Sequence, residues 1–309
     1  MTAFARLHLG DRLFRLFVTA AAMAIPVLLA FLVYELWTGA APAIDKFGLD
    51  FIANDVWDPV AEEFGAWPLI LGTLLSALLA LLIAVPLSLG VAIFLVEFAP
   101  PSVRGPIGFL VELLAAIPSV VYGLWGIFFL IPAMRATLFP FLRDVFGFLP
   151  FFQGTIYGPS MLTAALILAI MVMPYIISVS REVLMAVPTS QREAALALGA
   201  TRWEAVVGAV LPYAKSGIIG AIILGLGRAL GETMAVTMLI GTRHEISASL
   251  FAPGYTMAAA IANEFTDASS DMHIAALIYV ALVLFAITVL VNAGARLLIW
   301  RVARRGGGR

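Results

Sequence analysis

Arg228 and Glu232 stand in an otherwise apolar stretch, Gly-Leu-Gly-Arg-Ala-Leu-Gly-Glu-Thr-Met-Ala-Val-Thr-Met-Leu, from Gly225 to Leu239. If that stretch crosses a membrane from Gly217, Arg228 lies 11 residues in, roughly 16 Å at helical rise and near mid-depth. Glu232 follows one turn later on the same face. A charge at that depth costs at least ~2.5–3.5 kcal/mol, so it needs a partner or water. Two chemistries fit. In the first, the two charges neutralise each other and lock helix packing. In the second, they line a path for an anion. The planar donor fork of arginine can hold two oxygens of an oxyanion at once. Glu232 would then keep Arg228 from holding the anion too tightly, and could accept a hydrogen bond from a protonated oxyanion. Gly227 and Gly231 form a GxxxG pair that would let a neighbouring helix approach closely.

A second constellation is polar and lies between two apolar stretches: Ser190 to Pro212, SQREAALALGATRWEAVVGAVLP. Ser190 and Glu193 have the spacing of a capping box. Ala194 to Leu198 then reads as helix, and Gly199 suits a left-handed helix end. Thr201 and Glu204 repeat the box, and Pro212 sets the turn into the next apolar stretch. The segment is therefore helix, glycine corner, helix. Its alanines, Ala194 and Ala195 among them, leave a smooth surface that can seat in a groove, with Trp203 as a large anchor. An amphipathic linker resting on lipid headgroups fits the local physics equally well.

The elements that must carry these residues follow from composition. Hydrophobic residues make up 62% of the 309 and charged residues 12%, against ~45–50% and ~25% in soluble domains. The chain reads as an all-α integral membrane protein of one transmembrane domain. Six apolar stretches are long enough to span: Leu16–Trp37, Pro68–Val96, Ile107–Pro132, Ser160–Ser180, Gly217–Ile240 and Ile274–Trp300. The domain is expected over 16–300, with an interfacial segment 1–15, an outer loop 38–67, a loop 181–216 and a tail 301–309, disordered from Arg304. Of the 18 Lys+Arg residues, 13 fall on the side of the two termini, which places both termini in the cytoplasm by the positive-inside rule. The first stretch is long for a signal peptide and is read as a retained helix. Pro86, Pro118, Pro132 and Pro174 fall in or at the ends of spans, where each removes a backbone donor; Pro118 and Pro174 are candidate hinges. Glu112 is expected to meet Arg104 or interfacial water. There is no cysteine, neither lysine ends a P-loop, and His8, His244 and His273 are too scattered in sequence to suggest a metal site.

The spacing Glu-Ala-Ala-x3-Gly-x9-Ile-x-Leu-Pro is the loop signature of ABC importer permeases. This chain resembles it at Glu193, Ala194, Ala195, Gly199, Leu211 and Pro212, with Ala209 in place of the isoleucine. Ala115–Gly126 (AAIPSVVYGLWG), Met173–Pro188 (MPYIISVSREVLMAVP) and Gly227–Leu239 (GRALGETMAVTML) resemble the phosphate branch of that family. The continuation Met-Ala-Val-Thr resembles one of its two permease types. The resemblance runs from about Leu69 to Arg301. It implies six transmembrane helices of MetI-like type in the bacterial inner membrane. It also implies a coupling helix at Ser190–Gly199 seated in a cleft of an ATPase, and a role for Arg228 and Glu232 in phosphate passage. The implied partners are a second permease subunit, an ATPase homodimer and a periplasmic phosphate-binding protein. ATP and Mg would belong to the ATPase, and this chain would be half of a pore with no catalytic residues or cofactor. Sulfate, molybdate or phosphonate remain alternative cargoes, and an ATPase-independent anion carrier is the alternative mechanism.

Overall fold

Long apolar segments without water must satisfy their backbone internally, and helices do so within one segment. The computed structural model describes the backbone of residues 2–306 and the side chains of residues 10–297. Six of its helical stretches are long and apolar enough to cross a membrane: Gly10–Phe47, Trp67–Phe98, Ser119–Phe146, Met161–Met185, Arg202–Leu230 and Asp271–Leu297. In chain order we label α1 (Thr2–Phe47), α2 (Asp50–Ala53), α3 (Trp67–Phe98), α4 (Pro101–Ala116), α5 (Ser119–Phe146), α6 (Met161–Met185), α7 (Thr189–Ala197), α8 (Arg202–Leu230), α9 (Met234–Ile240), α10 (Met257–Glu264) and α11 (Asp271–Gly306). Between α2 and α3, the short strands β1 (Trp57–Asp58) and β2 (Glu63–Phe64) pair antiparallel.

The most extensive helix pairing joins α3 and α6, and α6 is the most enclosed of the spans while α1 is the most exposed. Small residues allow this: Ala77, Ala80, Ala84, Ala164, Ala165 and Ala169 are all buried. A polar tie adds to the packing. Thr73 Oγ1 accepts from the Met257 backbone N–H at 2.9 Å and donates to the Leu69 carbonyl at 2.7 Å. The α10 helix is thereby fixed to α3.

Several element ends differ from the sequence expectation, each for a local reason. The α1 helix continues to Phe47 rather than ending at Trp37. Ala40 and Ala43 are buried and Gly39 lies against Ile278 of α11, so packing carries the helix past the expected loop start. The expected third span is two helices. Pro118 has no N–H and pushes Ile117 to an extended ψ of 128°, so α4 stops at Ala116 and α5 starts at Ser119. The α5 helix then runs to Phe146, through what was expected to be loop, and takes up Pro132 between two π-turns, Gly126–Leu130 and Met134–Leu138.

Pro212 makes no turn either. A π-turn at Val206–Val210, in which the Leu211 N–H reaches the Val206 carbonyl, absorbs it into the continuous α8. The break comes later, at Gly231–Thr233, between α8 and α9. Both α3 and α6 run without interruption through Pro86 and Pro174. The tail is helical through Gly306, and residues 307–309 lie outside the described residues, as do the side chains of Arg6 and His8.

Candidate functional site

Arg228 is in the last turn of α8, which ends at Leu230 with Gly231 at its cap. Glu232 is therefore not on the same helical face; it sits in the break. Its Oε1 accepts from the Ala235 backbone N–H at 3.4 Å, a loose cap on α9. Arg228 and Glu232 form no ion pair, so mutual neutralisation is not how the arginine is accommodated. Its guanidinium instead lies 4.3 Å from the centre of the Tyr175 ring, a geometry in which the ring face stabilises the cation. Arg228 Nε is buried and has no hydrogen-bond partner.

Tyr175 is itself held by the Pro118 break. The end of α4 leaves carbonyls without helical partners. The Tyr175 hydroxyl donates to the Ala115 carbonyl and the Tyr122 hydroxyl to the Leu114 carbonyl, both at 2.9 Å. Pro118 thus orders a platform from α4, α5 and α6 on which the α8 arginine rests. Within this chain the GxxxG pair brings no helix into close contact among the described residues. A Cβ at Gly227 would meet only Asn292 Oδ1, at 3.9 Å, and Gly231 is exposed. Glu112 pairs with Arg181 at 3.2 Å rather than with Arg104, whose Nη2 donates to the Val96 and Ala99 carbonyls.

At one end of the bundle, α7 starts at Thr189 after Pro188, whose ψ of 138° sets the entry. Ser190 is then inside the first turn and makes no cap, so the first capping box is absent. The second is present: Thr201 Oγ1 accepts from the Glu204 N–H, and Glu204 Oε2 accepts from the Thr201 N–H at 2.7 Å. Gly199 has φ +88°, which a side chain would strain, and it brings the Ala200 N–H back to the Ala195 carbonyl at 3.2 Å. Glu193 and Ala194 face outward, Ala195 is half-buried, Leu211 is half-buried and Pro212 is exposed. Leu198 is 90% exposed and Trp203, which touches Phe98, is 58% exposed. Nothing in α7 is buried.

Two features escaped the sequence reading. Arg192, just before the Glu-Ala-Ala run, pairs with Glu97 at the end of α3; a basic residue next to the signature and an acid at a span end were the only signals. At the opposite end of the chain's helical hairpins, His244, His273 and Trp57 converge on Glu264. Trp57 Nε1 donates to Glu264 Oε2 at 2.8 Å, His273 Nε2 lies 3.2 Å from the same oxygen, and His244 Nε2 lies 3.2 Å from Oε1. The His244 contact is off the angle of a good hydrogen bond. Burial alone would raise the Glu264 carboxyl, but the His244, Trp57 and His273 contacts outweigh it and hold it below the usual carboxylate range. Burial pushes the nearby Tyr255 phenol up to about 12. Among the described residues, no three His, Cys, Asp or Glu side chains are arranged to hold a metal.

Residues 84–304 match the family described as binding-protein-dependent transport system inner membrane component. The phosphate transport system permease protein PstC of Mesorhizobium japonicum is 45% identical over 98% of this chain and 94% of its own. That of Pasteurella multocida is 45% identical over 97% and 95%, and the probable PstC of Methanocaldococcus jannaschii is 36% identical over 90% of each. The fold is similar to a chain in the crystal structure of a bacterial ABC transporter importing alginate, with TM-score 0.60 and 20% identity over 94% of this chain and 98% of that one. It is also similar to a chain of the inward-facing MetNI methionine ABC transporter, with TM-score 0.56 and 17% identity over 80% and 99%.

Proposed function

The chain belongs to the family of binding-protein-dependent transport system inner membrane components, and we propose that it forms half of the pore of an ATP-driven importer of inorganic phosphate. It is a multi-pass membrane permease and not an enzyme, as its relatives are named. Arg228 carries the proposal. A cation held by an aromatic face, with a buried donor uncommitted, can offer its fork to an oxyanion without first breaking an ion pair. Glu232 follows in the backbone break after α8, and irregular backbone inside a membrane is tolerated where it lines a cavity. Phosphate as the cargo is supported by the names of relatives matched over nearly the whole chain.

The remaining parts follow as one scheme. The excess of Lys and Arg on the side of the termini supports a cytoplasmic location for both and for α7. There α7, with Glu193, Ala194, Ala195 and the Gly199 corner, would seat in a PstB-like ATPase homodimer that binds ATP and Mg. Leu198 and Trp203 supply apolar surface that such a partner would cover. A PstA-like subunit would complete the pore. A PstS-like periplasmic protein would deliver phosphate at the end that carries β1, β2 and α10.

The test is reconstitution of the four proteins in liposomes with radiolabelled phosphate. Uptake should require ATP, the ATPase and the binding protein, and excess sulfate should not compete. Uptake by this chain alone, without the ATPase, would falsify the scheme.

A further inference from the structure

The side chain of Arg192 turns away from the exposed face of α7 and enters the bundle. Its Nε donates to Glu97 Oε1 at 3.0 Å and Oε2 at 3.3 Å, and its Nη2 donates to Oε1 at 2.8 Å. The same guanidinium reaches two backbone carbonyls: Nη2 to Leu184 in the last turn of α6 at 2.8 Å, and Nη1 to Val187 just past its end at 2.7 Å. Glu97 is in the last turn of α3. One side chain therefore ties α7 to the ends of α3 and α6, the two helices with the most extensive mutual packing. The pair is largely enclosed, at 21% and 12% side-chain exposure, beside a pocket walled by Leu196, Ala205, Val206 and Val210. No residue of α7 is buried, and among the described residues the hydrogen bonds that tie α7 to α3 and to the end of α6 are those of Arg192.

We propose that Arg192 is a positioning residue that makes α7 move as one body with the ends of α3 and α6. A push on α7 would then be delivered to the centre of the bundle. Only a planar fork can meet a carboxylate and two helix-end carbonyls at once. The carbonyls at the end of α6 carry the negative end of its dipole and reinforce the hold. A lysine has three donors, but all on one nitrogen, and cannot reproduce the spread of the fork. This inference rests on the proposed role of α7 as the contact with the ATPase. It goes further by naming the strut through which that contact acts.

The reconstituted complex tests it through the ratio of phosphate taken up to ATP hydrolysed. In R192Q the ratio should fall about tenfold, within the range that coupling between sites usually spans, while the ATPase still co-purifies. R192K should fall between the two. An unchanged ratio in R192Q overturns the strut. If R192Q does not assemble, the double variant R192Q/E97Q removes the lone buried charge and should show the same low ratio; a wild-type ratio there overturns the proposal.

A second measurement leaves the pair intact. The chain has no cysteine, so spin labels at S190C on α7 and L82C on the exposed face of α3 are unique in it. Their distance should be the same with and without bound ATP, and a nucleotide-dependent change overturns the proposal. Wild-type complex that takes up phosphate without hydrolysing ATP would instead sink the functional scheme itself, whichever way the variants behave.

Discussion

Two arginines in this molecule are accommodated in opposite ways. Arg192 donates to a carboxylate and to two backbone carbonyls, at distances down to 2.7 Å. Arg228 rests on the Tyr175 ring with its Nε buried and unpartnered. Buried donors are nearly always satisfied, and an unsatisfied one costs about 1–3 kcal/mol. Arg181 Nε is also buried without a partner, but that guanidinium is paired with Glu112; Arg228 has an aromatic face in place of an ion pair, which under the proposed function leaves it open to an anion. Local rules broken without internal compensation concentrate at functional sites.

Neutralising each arginine in turn, with stability measured beside transport, separates the two roles. R192M leaves Glu97 buried alone and should lower unfolding stability by about 3 kcal/mol, read as a fall in melting temperature in detergent. R228M removes an unsatisfied donor and should be no less stable than wild type. Phosphate uptake should nonetheless fall about 100-fold in R228M, the loss expected for charge-assisted hydrogen bonds made to a bound anion. If R228M is strongly destabilised, Arg228 is a packing residue and the contrast disappears.

Glu264 is accommodated in the manner of Arg192: its oxygens face Trp57, His273 and His244. Its folded carboxyl is held below the usual range. The stabilisation is therefore fully present above the unfolded value and is lost as pH falls through the lower folded value. E264Q should cost about 1–2 kcal/mol at neutral pH, and its stability should depend less on pH below about 4.3, where the unfolded carboxyl is more than half protonated. Uptake per ATP should be unchanged in E264Q. An E264Q complex as stable as wild type at pH 7 would show that the cluster does not hold this end of the fold together.

What the sequence made legible follows from which signals are local. Six long apolar stretches are visible because each span needs its own run of residues, and the left-handed corner at Gly199 and the box at Thr201 and Glu204 are set within a few residues. Element ends were misjudged where a neighbour decides them. Pro118 broke a span because Tyr122 and Tyr175 could take up the freed carbonyls, while Pro174 and Pro212 were absorbed into continuous helices. Ser190 lost its capping role because the helix starts at Thr189, with Pro188 at the cap position two residues before it. The Arg192–Glu97 pair spans 95 residues of sequence and Trp57–Glu264 spans 207, so no window could show them. Arg228 and Glu232 were legible as charges in an apolar stretch. Their relation to each other was not, because the helix ends between them.

The smallest effect separates the two functions of Tyr175. Its ring carries Arg228 and its hydroxyl holds the Ala115 carbonyl. Y175F keeps the ring and should cost only about 1 kcal/mol of stability, for one hydrogen bond, with phosphate affinity of the pore unchanged. Y175L removes the ring as well. Without the aromatic face, the Arg228 cation loses about 0.5–2 kcal/mol and becomes free to seek Glu232. Uptake should then fall about fivefold beyond Y175F, and E232Q introduced into Y175L should restore part of it by removing the competing acid. If Y175F and Y175L transport equally well, the aromatic face is not what keeps Arg228 open, and the difference between the two arginines must come from elsewhere in the pore.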